Sequence, residues 1–207
     1  MSIFVAIDGP NGVGKTTIVS ELAGELRSRG ADVLTLRQPS DSELGRFARS
    51  FESRLSGLSL AILVVADRLV QVATDIEPAL AEGRIVLCDR HIASTLVLQR
   101  LDGLDLPSLW QMNADVLMPD LQVILLASPE VLRSRLDARS RSSRFEQSEG
   151  IEEREVHYYE EAIDWLKSKG LSVITADTGG QTVDETAAFL AGAIGKSLES
   201  GTRRPPA

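Results

Sequence analysis

MSIFVAIDGPNGVGKTT, Met1 to Thr17, is the most informative stretch of this 207-residue chain. Ile3 to Ile7 is a short apolar run rich in β-branched residues, the length of a buried strand rather than of a helix. It passes directly into GPNGVGKTT, Gly9 to Thr17, which fits GxxxxGK[ST], and residues of helical periodicity follow. Strand, glycine loop and helix in that order are the setting the pattern requires. Its glycines let successive backbone N–H groups turn toward a phosphate, while the helix N-terminus adds unsatisfied donors and partial positive charge. Gly9, Pro10, Asn11, Gly12, Val13, Gly14, Lys15, Thr16 and Thr17 are therefore expected to hold the phosphates of ATP. Lys15 would reach the β- and γ-phosphates, and the Thr16 hydroxyl would ligate Mg2+.

Beyond this loop, short apolar runs alternate with longer segments of helical period, the signature of βαβ units around a parallel sheet covered on both faces. Strands are expected at Ile3 to Ile7, Asp32 to Leu36, Ile85 to Cys88, Leu121 to Ala127 and Leu171 to Thr175. Helices are expected at Lys15 to Arg29, Glu43 to Arg54, Leu58 to Glu82, Ser94 to Leu101, Leu106 to Met118, Pro129 to Ala138, Ile151 to Lys169 and Val183 to Ser197. This is a three-layer α/β/α P-loop fold with a five-stranded parallel sheet, expected as one domain over residues 1–199 with a disordered tail at 200–207. RLDARSRSSRFEQSEG, Arg135 to Gly150, carries four arginines among small polar residues and is expected to be an arginine-rich, mobile lid whose charges repel until phosphate neutralises them.

IVLCDR, Ile85 to Arg90, ends an apolar strand in a carboxylate at the sheet edge where open α/β sheets bind ligands. Asp89 would hold Mg2+ through water, and Arg90 would fork onto a phosphate. The overall balance is that of an ordinary globular protein, 43% apolar and 25% charged residues. With 22 basic against 30 acidic side chains, the net charge of −8 argues against a nucleic-acid partner, because such binding is driven by basic patches. The N-terminus lacks the basic start and long apolar stretch of a signal peptide, and no apolar run reaches the ~18 residues of a membrane span, so a cytoplasmic location is expected. Cys88 is the single cysteine and sits in an apolar run, as a buried core thiol does. His91 and His157 lack partners at metal-ligand spacing and are taken as non-catalytic.

Taken together, Gly9 to Thr17, LRQP at Leu36 to Pro39, ADR at Ala66 to Arg68, IEPALAEGRIVLCDRHIAST at Ile76 to Thr95, PDL at Pro119 to Leu121 and RSSRFE at Arg141 to Glu146 resemble the ordered landmarks of bacterial thymidylate kinases. The resemblance runs from Phe4 to about Leu190. It implies ATP-dependent phosphorylation of a nucleoside monophosphate, dTMP first, in a homodimer. It implies further that Arg37, Arg68 and Arg90, with Asn11, surround the acceptor's phosphate and sugar, that Thr95 and Gln99 face its base, and that Arg135 packs on adenine. Arg139, Arg141 and Arg144 resemble the lid arginines that act with Lys15 and Arg90 in catalysis. Several convergent arginines are also what a phosphate dianion requires on chemical grounds.

The departures lie in acceptor recognition. Asn11 stands where the family has a P-loop carboxylate, and Gln38 where it has the glutamate of Arg-Glu-Pro. Val64 replaces an aromatic that stacks on thymine, Leu98 an aromatic that crowds a ribose 2′-hydroxyl, and Ser143 the lid's aspartate. Base and sugar recognition are therefore expected to be altered, with dTMP bound weakly and ribonucleotides less strictly rejected, unless a neighbouring loop fills the gaps. Two other readings stay open: a kinase for another nucleotide or a phosphorylated or phosphonate metabolite, and a nucleotide-binding regulator without phosphotransfer. A GTPase switch has no NKxD-type guanine signature to support it.

Overall fold

The computed structural model describes residues 2–141 and 143–200. Among them, the strands are β1 (Ile3–Asp8), β2 (Val33–Arg37), β3 (Ile85–Asp89), β4 (Leu121–Leu126) and β5 (Val173–Asp177), all parallel in the order β2-β3-β1-β4-β5. The register runs Ile3↔Ile85 to Ile7↔Asp89 between β1 and β3, and Val5↔Leu121 to Asp8↔Ile124 between β1 and β4. The α/β class and the five strands are as the periodicity predicts. β5 begins two residues later than expected, because Leu171 still belongs to the helix end, its N–H bonded to Leu166 O at 3.1 Å.

The helices are α1 (Lys15–Ser28), α2 (Glu43–Phe51), α3 (Gly57–Gln71), α4 (Glu77–Ala81), α5 (Ile92–Leu101), α6 (Leu106–Met112), α7 (Pro129–Arg139), α8 (Ile151–Ser168) and α9 (Val183–Ser200). α3 and α4 are one continuous rod joined by a π-turn, Val72–Ile76. Pro78 explains the widening, since it has no N–H to return to the preceding turn. The whole rod Gly57–Ala81 is long and apolar enough to cross a membrane by length and composition alone, with 44% of that window buried in the fold. α6 stops six residues short of the expected Met118: Asn113 folds its Nδ2 back onto Leu109 O at 2.8 Å and gives its Oδ1 to Arg68, which ends the helix. α7 extends through Arg139, so the first residues of the expected lid are helical. α9 runs on to Ser200, and residues 201–207 of the expected disordered tail lie outside the described residues.

Alternation along the central strands sorts the core into two layers. Ile3, Val5 and Ile7 of β1 join Val123 and Leu125 of β4 against Ile18, Leu22 and Leu26 of α1 and Leu190 and Ile194 of α9. On the opposite face Phe4, Val86 and Cys88 meet Val72, Ile76 and Leu80, while Ile124 packs with Leu96, Tyr159 and Leu166 of α5 and α8. β1 and β3 therefore end side by side at the point where the chain crosses from one half of the sheet to the other, which is where open α/β sheets form their ligand crevice. Asp8 and Asp89 are the last residues of those two strands.

Candidate active site

The phosphate loop leaves β1 at Gly9, where only glycine fits: a β-carbon there would meet Leu125 O at 2.4 Å, and φ is 150°. Gly12, at φ 82°, is pressed against α7, its absent β-carbon 3.0 Å from Leu136 Cγ and 3.1 Å from Leu132 O. A side chain at position 12 is thus excluded by α7. The Lys15 ammonium is folded back on the loop, donating to Gly9 O at 2.9 Å and Pro10 O at 2.8 Å. Burial, and then the charge of Arg90, lower its pKa to about 7.

At the end of β3, Thr16 Oγ1 donates to Asp89 Oδ2 at 2.6 Å, and Asp89 Oδ1 is buried without a hydrogen-bond partner. Two oxygen ligands, one of them an orphaned carboxylate oxygen beside the phosphate loop, fit a hard divalent cation such as Mg2+, which is held by a carboxylate and a hydroxyl and completed by phosphate oxygens and water. Among the described residues no cluster of three or more His, Cys, Asp or Glu side chains offers a competing metal site.

Arg90 adopts φ 73°, a strained conformation for a side chain of its size, and its N–H is tied to Ile7 O at 2.9 Å. That turn sends the guanidinium over the loop. Its Nη2 donates to Asn11 Oδ1 at 2.7 Å and its Nη1 to Ser94 Oγ at 3.1 Å. Asp8 holds the adjoining turn, accepting from Ser94 Oγ at 2.5 Å, Ser94 N at 2.9 Å and His91 N at 3.1 Å.

Two cavities meet here. One, about 350 Å³, lies over the loop and is lined by Gly12, Gly14, Lys15, Thr17, Arg135 and Arg139 in addition to the shared residues named below. The other, about 300 Å³, is lined by Arg37, Gln38, Arg68, Thr95, Leu98 and Gln99 with Val64, Leu60, His91, Ser94, Arg49, Glu52, Phe145 and Glu146 among others. Asn11, Thr16, Asp89 and Arg90 line both.

The residues singled out from the sequence fall into three groups. Lys15, Thr16, Asp89, Arg90, Arg135 and Arg139 converge on the loop cavity; Arg135 is fastened to Thr178, to its carbonyl at 2.7 Å and its hydroxyl at 3.1 Å. Thr95 and Gln99 share the α5 face that lines the second cavity. Arg37 stands at its mouth, exposed and paired with Asp41. Arg68 lies under it, 1% exposed, with every contact to a neutral acceptor: Gln38 Oε1 at 2.7 Å, Thr95 Oγ1 at 2.8 Å, His91 O at 3.1 Å, and Asn113 Oδ1. Burial lowers its pKa to about 10. Arg141 and Arg144 line neither cavity; Arg141 pairs with Asp137 at 3.0 Å and Glu152 at 2.6 Å, and Arg144 is bidentate on Asp102 at 2.7 and 2.5 Å.

Three contributors escaped the sequence reading. Phe145 brings a ring from the segment between α7 and α8 into the wall of the second cavity, 5% exposed, under the Arg144 guanidinium at 4.0 Å. His91 lines it too, fully buried, edge-on to Phe4 with ring centroids 5.1 Å apart; burial and the Arg68 charge hold its pKa well below the ordinary value, so the ring is neutral. Glu155 of α8 is 2% exposed and grips the phosphate loop, accepting from Asn11 N at 2.5 Å and Asn11 Nδ2 at 2.6 Å. In the structure it continues the buried stripe of α8, one turn before Tyr159, Ala162 and Leu166, although its segment has the composition of a solvated acidic helix.

A family model described as Thymidylate kinase matches residues 7–185. A protein of Caldivirga maquilingensis named probable thymidylate kinase is 38% identical over 152 residues, 72% of this chain and 74% of its own length. One of Pyrococcus horikoshii with the same name is 37% identical over 75% of this chain and 80% of its own length. Another of that name, from Pyrobaculum calidifontis, is 30% identical over 96% of this chain and 98% of its own length.

Proposed function

The chain belongs to the thymidylate kinase family, and from that footing we propose that it moves the γ-phosphoryl group of ATP onto the phosphate of a nucleoside monophosphate, dTMP first, releasing ADP. The observation that carries this is the common wall of the two cavities, Asn11, Thr16, Asp89 and Arg90. A donor on the loop and an acceptor in the second cavity would face each other across these groups, the placement a direct displacement needs. Lys15 would swing from the loop carbonyls onto the β- and γ-phosphates, and Arg90 would neutralise charge on the transferring group. Mg2+ on Thr16 and Asp89 would supply further charge neutralisation at the phosphate oxygens. The acceptor oxygen is already ionised and needs no strong base.

In this reading Arg135 and Arg139, which line the loop cavity, would meet the donor, and Arg141 and Arg144, paired with Glu152 and Asp102, would brace the lid. Gln38, Thr95 and Gln99 offer hydrogen bonds to a base edge, with the Arg68 charge beneath them. Phe145 provides a ring that Val64 and Leu98 do not. A cytoplasmic location and a homodimer are part of the same proposal, the homodimer supported by the exposed apolar row Leu58, Ile62 and Leu69 on α3.

ADP release with dTMP, dUMP, UMP, CMP and AMP tests the reading. dTMP is expected to give the highest kcat/KM, and Phe145→Ala is expected to raise its KM about tenfold, the order of one base–aromatic contact, with the KM for ATP unchanged. Leu98→Tyr is expected to increase the dTMP to UMP ratio. Tight ATP binding with no turnover of any acceptor would favour a regulator instead.

A further inference from the structure

Arg90 has two side-chain anchors, and each is itself held by one face of α8. On one side Nη2 rests on Asn11 Oδ1, while the other end of that amide, with the Asn11 backbone N–H, is held by Glu155. On the other side Nη1 rests on Ser94 Oγ, which lies 3.2 Å from the hydroxyl of Tyr159, one helical turn beyond Glu155. Glu155 and Asn11 are 144 residues apart in the chain, and both are buried. A buried carboxylate is retained only where several donors or charges offset its desolvation, and here the donors are those of the phosphate loop. α8 also follows directly on the lid, and Glu152 in its first turn pairs with Arg141 of the lid.

We propose that Glu155 is a positioning residue for phosphoryl transfer: it fixes the Asn11 amide in the one orientation that presents Oδ1 to Arg90, and so supplies from α8 the carboxylate that the phosphate loop itself lacks. The hydrogen-bond inventory makes the orientation unambiguous. Asn11 turns two donors, N–H and Nδ2, toward Glu155, and its single side-chain acceptor toward Arg90. Glu155→Gln retains shape but offers only one acceptor to two donors. The Asn11 amide can then satisfy position 155 only by rotating, which turns its Nδ2 donor onto the Arg90 guanidinium. Asn11→Asp places two carboxylates in contact, and like charges at that distance exclude each other. The double exchange Asn11→Asp/Glu155→Gln satisfies every group again: one carboxylate oxygen at position 11 accepts from Arg90, the other from the new amide N–H2 at position 155, whose carbonyl accepts the backbone N–H of position 11.

The test is this four-member cycle, and it rests on Arg90 acting between the two phosphate sites as proposed above. Each single variant is expected to lose about tenfold to a hundredfold in kcat/KM for the acceptor, the order of a broken buried hydrogen bond to a charged group. The double variant is expected to return to within about threefold of wild type, since its groups are paired again. The cycle is read a second time, without turnover, as calorimetric affinity for a bisubstrate probe in which adenosine and thymidine are joined through five phosphates. Wild-type turnover of dTMP reports on the proposed function; recovery in the double variant reports on Glu155. If Asn11→Asp alone does not fold, the comparison of the double variant with Glu155→Gln decides the matter. Recovery in the double variant supports the proposal. Singles indistinguishable from wild type, or a double variant no better than the product of the singles in both readouts, overturn it.

Discussion

Lys15 carries its charge at a cost among the loop carbonyls. It is 7% exposed, its Nζ is held by two carbonyls, and burial followed by the Arg90 charge brings its pKa to about 7. A triphosphate adds negative charge beside it and raises that pKa. The sign of the linkage follows: above pH 7 the ammonium of the unliganded protein is partly deprotonated, so ATP binding takes up a proton, and affinity falls as pH rises from about 7 toward the pKa of the complex. The limiting slope is about tenfold per pH unit. Calorimetric titration with ATP at several pH values, in two buffers of different ionisation enthalpy, measures both; pH-independent affinity without proton uptake would contradict it. Lys15→Ala is expected to lower kcat by about a hundredfold or more, as for other charge-stabilising groups at a transferring centre, and activity within about threefold of wild type would remove the loop from the mechanism.

The lid illustrates how an element can have one character by composition and another in place. Four arginines in Arg135 to Arg144 suggest mutual repulsion, yet in the structure Arg139 pairs with Glu146 at 2.7 Å, Arg141 with Asp137 and Glu152, and Arg144 with Asp102. Carboxylates from α7, α8, the end of α5 and the lid itself stand between the charges. These arginines are partly exposed to solvent, and ion pairs that water and salt screen in this way add little to stability. These contacts hold the segment weakly, and in the proposed lid substrate phosphates would replace them. Two measurements by hydrogen exchange over residues 143–150 follow. Asp102→Asn removes the bidentate anchor of Arg144 and is expected to speed exchange, and the bisubstrate probe is expected to slow it in the wild type. Exchange that responds to neither would mean that this segment is not a lid.

For the molecule as a whole, the least explained surface is on α3. Leu58 at 55%, Ile62 at 53% and Leu69 at 38% exposure share one helical face, flanked by Val70 at 44% and by Phe47 at 47% on the neighbouring α2. A row of this kind is more apolar surface than a lone helix ordinarily shows to water, and it is the face offered for the proposed homodimer. Pairing of two copies through α3 would place the second cavities near the dimer seam, since Leu60, Val64 and Arg68 on the same helix line them. Ile62→Glu is expected to shift the sedimentation coefficient from dimer to monomer while leaving the circular dichroism spectrum unchanged. A monomeric wild type, or a variant that stays dimeric, would rule out this face.

The parts legible from residues alone were those made by neighbours in the chain. A strand, a glycine turn and a helix start lie within Ile3 to Thr17, so the loop's donors and Lys15 come together through local geometry, and the apolar runs predict the sheet because burial on both faces leaves few other residue types possible. Asp89 and Arg90 were legible for the same reason, as the end of a buried strand. Helix ends, the α6 stop at Asn113 above all, depended on a side chain caught by Arg68 from another helix. The lid arginines could be counted but not paired, since their partners come from four elements. Glu155 lies in IEEREVHYYEE, which resembles a solvated acidic helix, and only the docking of α8 turns that carboxylate inward onto a loop 144 residues away. Local propensity and periodicity act over a few residues, whereas the partner of a buried charge is chosen by packing, and packing joins residues without regard to their distance along the chain.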